Sequence, residues 1–206
     1  MASGAVCGGV AFVEWLAPTV FITRLRREVD GQAETETRRQ ADPRYHALMK
    51  ARVYIETSVV SYLAARPSRD LIVAAHQALT QAWWDARRHA FELAASVYVL
   101  DECAQGDAGA AQRRLGLIEG IAILPVSAHI ETLAAALLAG GALPREARID
   151  ALHIACAALN GVDYLLTWNC KHIANFERLP AVERICRDNG YEPPRICTPT
   201  ELMGDE

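Results

Sequence analysis

The chain lacks any C-x-x-C pair, although cysteines stand at positions 7, 103, 156, 170, 186 and 197. Zinc sites and dithiol redox motifs need such close pairing, so neither is indicated. Cys156 lies inside an apolar helical stretch, which speaks against a disulfide framework and for free thiols in a reducing cytoplasm. Internal repeats and low-complexity runs are also missing, which excludes repeat arrays and wholesale disorder. Positive charge is not in excess: the net charge is −4, so overall electrostatics do not make the chain a nucleic-acid binder. Carboxylates gathered around a divalent cation would reverse that field locally, just where a phosphate must approach.

A signal peptide is missing too. Ala5 to Ile22 is apolar but is broken by Glu14 and Pro18, and no positive residues precede it. Arg24, Arg26 and Arg27 follow it, which leaves a signal-anchor as the alternative reading of this segment. Gly31 to Arg44 is polar, of mixed charge and without apolar period, and reads as a linker. Residues 1 to 48 carry as many arginines as acidic residues, so the whole net charge resides in the remainder. The segment is therefore expected to be an N-terminal extension, poorly ordered and outside the fold, with residues 49–206 as the domain and Met49 as a natural start.

What is present is the composition of a globular protein. With 206 residues, 51% hydrophobic and 22% charged, one domain with a substantial core is expected. Val53 to Ile55 is a short β-rich run, and Thr57 or Ser58 is suited to cap a helix that starts as it ends. Leu71 to Phe91 reads as a long amphipathic helix with Leu71, Ala75, Ala78, Leu79, Ala82, Trp83 and Ala86 on one side. Trp83-Trp84 suggests a base-stacking platform, or more plainly core packing. Glu92 to Ala95 is a second strand, Ser96 caps a short helix to Gln105, and Asp107 to Gly116 is a further helix. Arg113 and Arg114 on it are phosphate-contact candidates or plain surface.

Ile121 to Val126 gives a third strand. Ser127 caps a helix to Ala139 that Gly140-Gly141 stops. Leu143-Pro144 opens a helix over Ala147 to Asn160, and Asp163 to Thr167 forms a strand. A polar loop, Trp168 to Asn175, comes next; Leu179 to Asp188 is a late helix, Arg195 to Cys197 a last strand, and Thr198 to Glu201 a helix start. Helices alternate with short strands throughout, so a three-layer α/β/α arrangement with a central parallel sheet is expected, not a helical bundle.

The stretch Ala147 to Asn175 is the centre of this reading. Asp150 is anomalous there, because a carboxylate in an apolar helix is costly to bury unless a positive partner meets it. Glu56 ends the first strand, at the edge where open α/β sheets place ligands; its plainer reading is a surface residue near a helix start. The Trp168 to Asn175 loop follows another strand and shares that edge. Glu102 and Asp150 sit on helices that can converge on it, although Glu102 beside Asp101 also fits a solvated helix face. Three acidic groups together repel one another unless a hard divalent ion such as Mg²⁺ or Mn²⁺ joins them. The chemistry expected of such a site is metal-assisted attack of water on a phosphodiester. His153, one turn beyond Asp150, orients it or contacts RNA, or is simply structural. Lys171 and His172 in the polar loop are candidates to hold a phosphate, Asn175 closes that loop, and Asp163 falls at the opposite edge.

YIETSVVSYL at 54 to 63, SVYVLDECAQGD at 96 to 107 and IDALHIACAALNGVDYLLTWN at 149 to 169 together resemble the PIN domain family, in particular the VapC-type toxins of toxin-antitoxin pairs. The likeness covers about residues 50 to 203, and the last motif is its most specific part. It implies a Mg²⁺- or Mn²⁺-dependent endoribonuclease that acts on RNA, a homodimer without a membrane, held inactive by a cognate antitoxin. By position it implies acidic ligands at Glu56, Glu102 and Asp150, and Thr167 as the hydroxyl residue before the last ligand position. Thr57, Ser58, Thr167, Lys171 and His172 are then the substrate-binding candidates. An antitoxin segment is expected against the early helices around Tyr62 and Trp83. Two positions depart from the family's pattern: Glu56 stands where Asp is usual, and Asn169 stands at the fourth acidic position, so one well-held ion is the expectation and Asn169 is a weak ligand.

The competing reading is a catalytically weak PIN-like module that binds RNA or a protein partner, favoured by Glu56 and Asn169. A phosphatase with an aspartyl nucleophile fails, because the residue after the first strand is glutamate and no D-x-D follows.

Overall fold

In the computed structural model, which describes residues 50–204, each strand is short and mostly apolar. They are β1 (Arg52–Ile55), β2 (Glu92–Ala95), β3 (Ala122–Ile123), β4 (Tyr164–Leu166) and β5 (Arg195–Cys197). All neighbours pair in parallel, in the order β3-β2-β1-β4-β5. Val53, Tyr54 and Ile55 are all 0% exposed. Successive strand residues point to opposite faces, so both faces of the central strand are covered, as the α/β/α expectation requires.

Seven α-helices flank this sheet among the described residues: α1 (Thr57–Ala64), α2 (Leu71–Ala86), α3 (Val97–Cys103), α4 (Ala108–Ile118), α5 (Ala128–Ala139), α6 (Arg148–Leu159) and α7 (Leu179–Asp188). α6 is buried without a break from Ala151 to Ala158, the pattern of a helix enclosed on all sides. α5 packs on it, and the buried residues of α5, Ile130, Leu133, Ala134 and Leu137, form an i, i+3, i+4, i+7 stripe. The small side chains of α6 let the two backbones approach, and each fully buried Leu or Ile contributes about 1.5–3 kcal/mol. Gly161 turns α6 into β4 with φ of +59°, a conformation that a Cβ would oppose.

The strand order has a consequence for function. β2 and β3 lie to one side of β1, while β4 and β5 lie to the other. The carboxyl ends of β1 and β4 therefore flank the point where the winding reverses, the crevice in which such sheets bind ligands. The ladder runs one residue past both strands, with Glu56 N–H donating to Leu166 O at 3.0 Å and Thr167 N–H to Cys197 O at 3.0 Å. Glu56 and Thr167 are thus held side by side.

Several expectations are corrected. α2 ends at Ala86, followed by a 3-10 turn at Arg88–Ala90. Its expected inner side is mostly outside: Leu71, Ala75, Ala78, Leu79, Ala82 and Ala86 are exposed, and of that set only Trp83 is buried. The inward face instead carries Thr80 and Trp83, whose polar atoms serve Trp168 and Leu202 O. With Trp83 0% exposed, it neither stacks on bases nor offers a surface to an antitoxin.

Caps differ as well. Thr57, Ser58, Ser96 and Ser127 make no side-chain cap bond, whereas Asp70 and Asp107 do. The third strand is only Ala122–Ile123, because Leu124 makes one further ladder bond to Ala95 O and Pro125 has no N–H to extend it. α4 runs on to Ile118. Pro144 lies in the turn before α6, not in it. Thr198 to Glu201 is a turn in which the Glu201 carboxylate accepts from Thr198 N–H and Oγ1. Arg113 and Arg114 donate to backbone carbonyls of Ala64, Cys103 and Gln105. Cys103, Cys156, Cys170, Cys186 and Cys197 are free. The calls on residues 1 to 48, on Met49 and on Cys7 lie outside the described residues.

Candidate metal centre

Glu56, the residue after β1, is only 5% exposed. Its Oε2 accepts from the Ser58 hydroxyl and from Thr167 Oγ1 at 2.7 Å. Those hydroxyls are themselves aimed by backbone: Trp168 N–H donates to Ser58 Oγ at 2.8 Å, and Asn169 N–H to Thr167 Oγ1 at 2.9 Å. Glu102, from α3, is brought alongside. Its Oε2 accepts from Thr57 Oγ1 at 2.5 Å and from His153 Nε2 at 2.9 Å. Thr57 and Ser58 thus serve the two carboxylates, one each.

Ligand atoms of Glu56, Glu102 and His153 all lie within 4.8 Å of one another, a grouping that could hold a metal ion. Among the described residues no lysine or arginine forms an ion pair with Glu56, Glu102 or Asp150. No hydrogen bond among the described residues reaches Oε1 of either glutamate. Each carboxylate is therefore oriented through one oxygen and keeps the other as an electron-pair donor. Carboxylates this close would repel each other, and a bound cation would offset that repulsion.

Burial pushes the Glu102 carboxyl up, but the hydrogen bond and charge of His153 and the Thr57 hydroxyl more than offset it, leaving the group below its ordinary range. Glu102 is thus ionised at neutral pH and accepts only.

Asp150 is placed differently from the expectation. It lies one turn before His153 on α6, outside the three-residue group. Its Oδ1 accepts from Asn169 Nδ2 at 2.9 Å, and its Oδ2 pairs with His172 Nδ1 at 2.7 Å. His172 N–H in turn donates to Asn169 Oδ1 at 3.1 Å. Asp150, Asn169 and His172 so form a closed triangle, linked to Glu56 through the Asn169 backbone and Thr167. Asn169 directs its amide at Asp150, and Lys171 is exposed. Asn175 donates to Lys171 O and accepts from Glu177 N–H, which closes the loop as expected. Asp163 is at the opposite edge, accepting from Arg52 N–H at 2.7 Å.

His153 is the residue that sequence reasoning undervalued. It is 0% exposed, and its Nδ1 meets the Tyr54 hydroxyl at 2.7 Å. The spacing from Asp150 showed that it shared a helix side, but nothing in the sequence showed that α3 would bring Glu102 against it. Trp168 completes the rim: its ring stacks on His76 at 4.1 Å between centroids, and its Nε1 donates to Thr80 Oγ1 at 2.7 Å. No helix among the described residues is long and apolar enough to cross a membrane. No protein-family model matches the chain, and no curated protein matches it in sequence.

Proposed function

We propose that the chain is a metal-dependent endoribonuclease of the PIN domain type, acting as the toxin of a toxin-antitoxin pair in the cytoplasm. The observation that carries this reading is the pair of hydroxyl-oriented glutamates at the switch point of the sheet, with no Lys or Arg paired to either among the described residues. Mg²⁺ or Mn²⁺ suits oxygen donors of this kind. Glu56 and Glu102 would hold it, with Asp150 and Asn169 adjoining. Such an ion supplies polarisation of a phosphoryl oxygen and an acidified water.

The chain's own residues do the rest. Ser58 and Thr167 fix Glu56, while Thr57 and His153 fix Glu102, so neither carboxylate has to reorganise when charge develops. His172, part-buried against Asp150, and exposed Lys171 sit on the loop that follows Thr167, and in this reading they are the candidates to hold a phosphate of the RNA strand. A cognate antitoxin and a homodimer are expected from the resemblance alone.

Incubation of structured RNA with Mn²⁺ or Mg²⁺ tests the reading. Cleavage that EDTA abolishes, and that Glu102→Gln lacks, supports it; metal-independent cleavage or full activity in Glu102→Gln refutes it. The second reading, an RNA- or protein-binding module with weak catalysis, is favoured by one observation: the Asn169 amide engages Asp150 where the family pattern has a fourth carboxylate. It predicts RNA binding without cleavage at any Mn²⁺ concentration.

A further inference from the structure

Beside the metal centre the chain gathers positive charge that the proposed chemistry does not use. The end of α1, the turn after it and α4 enclose a cleft of about 490 Å³, to which Ser61, Arg66, Asp107, Arg113 and Arg114 contribute. Arg113 Nε donates to Ala64 O at 3.0 Å. Arg114 donates through Nε to Cys103 O at 3.0 Å and through Nη2 to Gln105 O. These bonds tether each guanidinium to the backbone without neutralising it. Among the described residues, both terminal nitrogens of Arg113 and Nη1 of Arg114 have no hydrogen-bond partner, and the side chain of exposed Arg66 has none. No carboxylate among them forms an ion pair with any of the three. Asp107, the one acid lining the cleft, is engaged by Ala110 N–H as the cap of α4. Three positive groups against one negative line this cleft, in a chain whose net charge is −4.

Such a cleft suits an oxyanion. Guanidinium groups match phosphate through paired N–H donors and stay charged at any working pH. A tethered guanidinium also loses less freedom on binding than a free one. The cleft is continuous with the metal centre. Thr57, which donates to Glu102, and Ser61, which lines the cleft, are four residues apart and share one side of α1. That separation is about one helical turn, roughly 5.4 Å. From the other direction, Arg114 holds the carbonyl of Cys103, the residue after Glu102. Exposed Lys171 follows β4, which lies on the opposite side of β1 from β2. Positive side chains therefore come from elements on both sides of β1.

We infer that the cleft of Arg66, Arg113 and Arg114 is a phosphate subsite, which holds a backbone phosphate of the RNA strand other than the one at the metal centre. The inference rests on the RNA reading above and adds to it the path of the strand. Contacts to phosphate give affinity and register without reading sequence. Held equally in ground and transition states, this phosphate lowers KM and leaves kcat unchanged.

The experiment measures binding apart from cleavage. A fluorescent single-stranded RNA of roughly 12 nucleotides is titrated with the full chain in EDTA, by anisotropy, over a range of salt. Each phosphate contact on a single strand contributes about 0.7 to the slope of log K against log salt, equivalent to about fivefold in affinity at about 0.1 M. Arg66→Gln combined with Arg113→Gln is expected to bind about 25-fold more weakly and to lower the slope by about 1.4. Glutamine carries its amide nitrogen as far along the side chain as arginine carries Nε, so the bond to Ala64 O can persist. Unfolding in denaturant and Mn²⁺ titration of this variant should match wild type, while KM for RNA rises at unchanged kcat. Arg184→Gln removes an equal charge from α7, outside the cleft, and is expected to bind RNA as wild type does.

Wild-type affinity and slope in the double variant overturn the inference, as does an equal loss in Arg184→Gln; the nuclease reading survives that failure if wild type still cleaves RNA with Mn²⁺. RNA binding that depends on these arginines, without cleavage at any Mn²⁺ concentration, sinks the nuclease and leaves the subsite standing. Wild type that binds no RNA overturns both. Binding of poly-glutamate that needs the arginines, where RNA binding does not, assigns the cleft to an acidic protein partner and also overturns the inference. Should the double variant not fold, Arg66→Gln alone, which breaks no side-chain hydrogen bond, decides the matter through its expected loss of about fivefold.

Discussion

The two edges of the sheet place charged residues in opposite ways. At the amino edge, signs alternate: Arg52 pairs with Glu92 at 3.8 Å, its N–H meets Asp163, and Arg195 lies over the Tyr164 ring. At the carboxyl edge, Glu56 and Glu102 stand together with hydroxyls and a histidine, and no Lys or Arg is paired to them among the described residues. The amino edge is electrostatically closed by its own side chains. The carboxyl edge orients its charges by hydrogen bonds, with an oxygen of each glutamate uncommitted among the described residues, and this grouping could hold a metal ion.

The sharpest way to break this comparison is by isosteric amides. Glu56→Gln retains an oxygen to accept from Ser58 and Thr167 while replacing the uncommitted oxygen by nitrogen. RNA cleavage is expected to fall on the order of a hundredfold or more, whereas Asp163→Asn at the amino edge is expected to leave the rate within about twofold. Equal losses in a cleavage assay would erase the distinction between the edges.

Stability gives a second, smaller contrast. His153→Ala leaves a cavity and removes one of the two buried partners of the Tyr54 hydroxyl as well as the Glu102 partner, so a loss of about 3 kcal/mol in denaturant unfolding is expected. Glu92→Ala removes an exposed pair and is expected to cost no more than about 0.5 kcal/mol.

Acid titration probes the smallest effect. Because Glu102 is held below its ordinary value of 4.5, its stabilising contribution is complete above that value and is lost as pH falls through the folded one. In EDTA, unfolding free energies of wild type should therefore decline more steeply than those of Glu102→Gln below about pH 4.5. Parallel curves would mean that His153 and Thr57 do not hold Glu102 as described.

Much of this was legible in the sequence because it is local. The alternation of short apolar strands with helices gave the parallel sheet, and Leu179–Asp188 and Arg195–Cys197 were bounded correctly. Glu56 and Thr167 were readable as residues just past strands. The strand order was not read, so their placement at the switch point was missed. α2 misled because alanines and leucines repeat at helical spacing on its outer side, while the inner side is specified by Thr80, Trp83 and a stacking histidine. His153 and Tyr54 were illegible for a different reason. Their roles depend on β1, α3 and α6 meeting, and no spacing within any one element encodes that meeting. Asp150 was read as a ligand from its cost of burial. The structure offsets that cost with Asn169 and His172 instead.

The central claim, that the carboxyl edge is built to hold a divalent cation through Glu56 and Glu102, is tested most directly by calorimetric titration of Mn²⁺ into wild type and Glu56→Gln. Saturable binding of one ion in wild type, lost or strongly weakened in Glu56→Gln, is the predicted result. No saturable heat in wild type, or the same binding in both proteins, would contradict it.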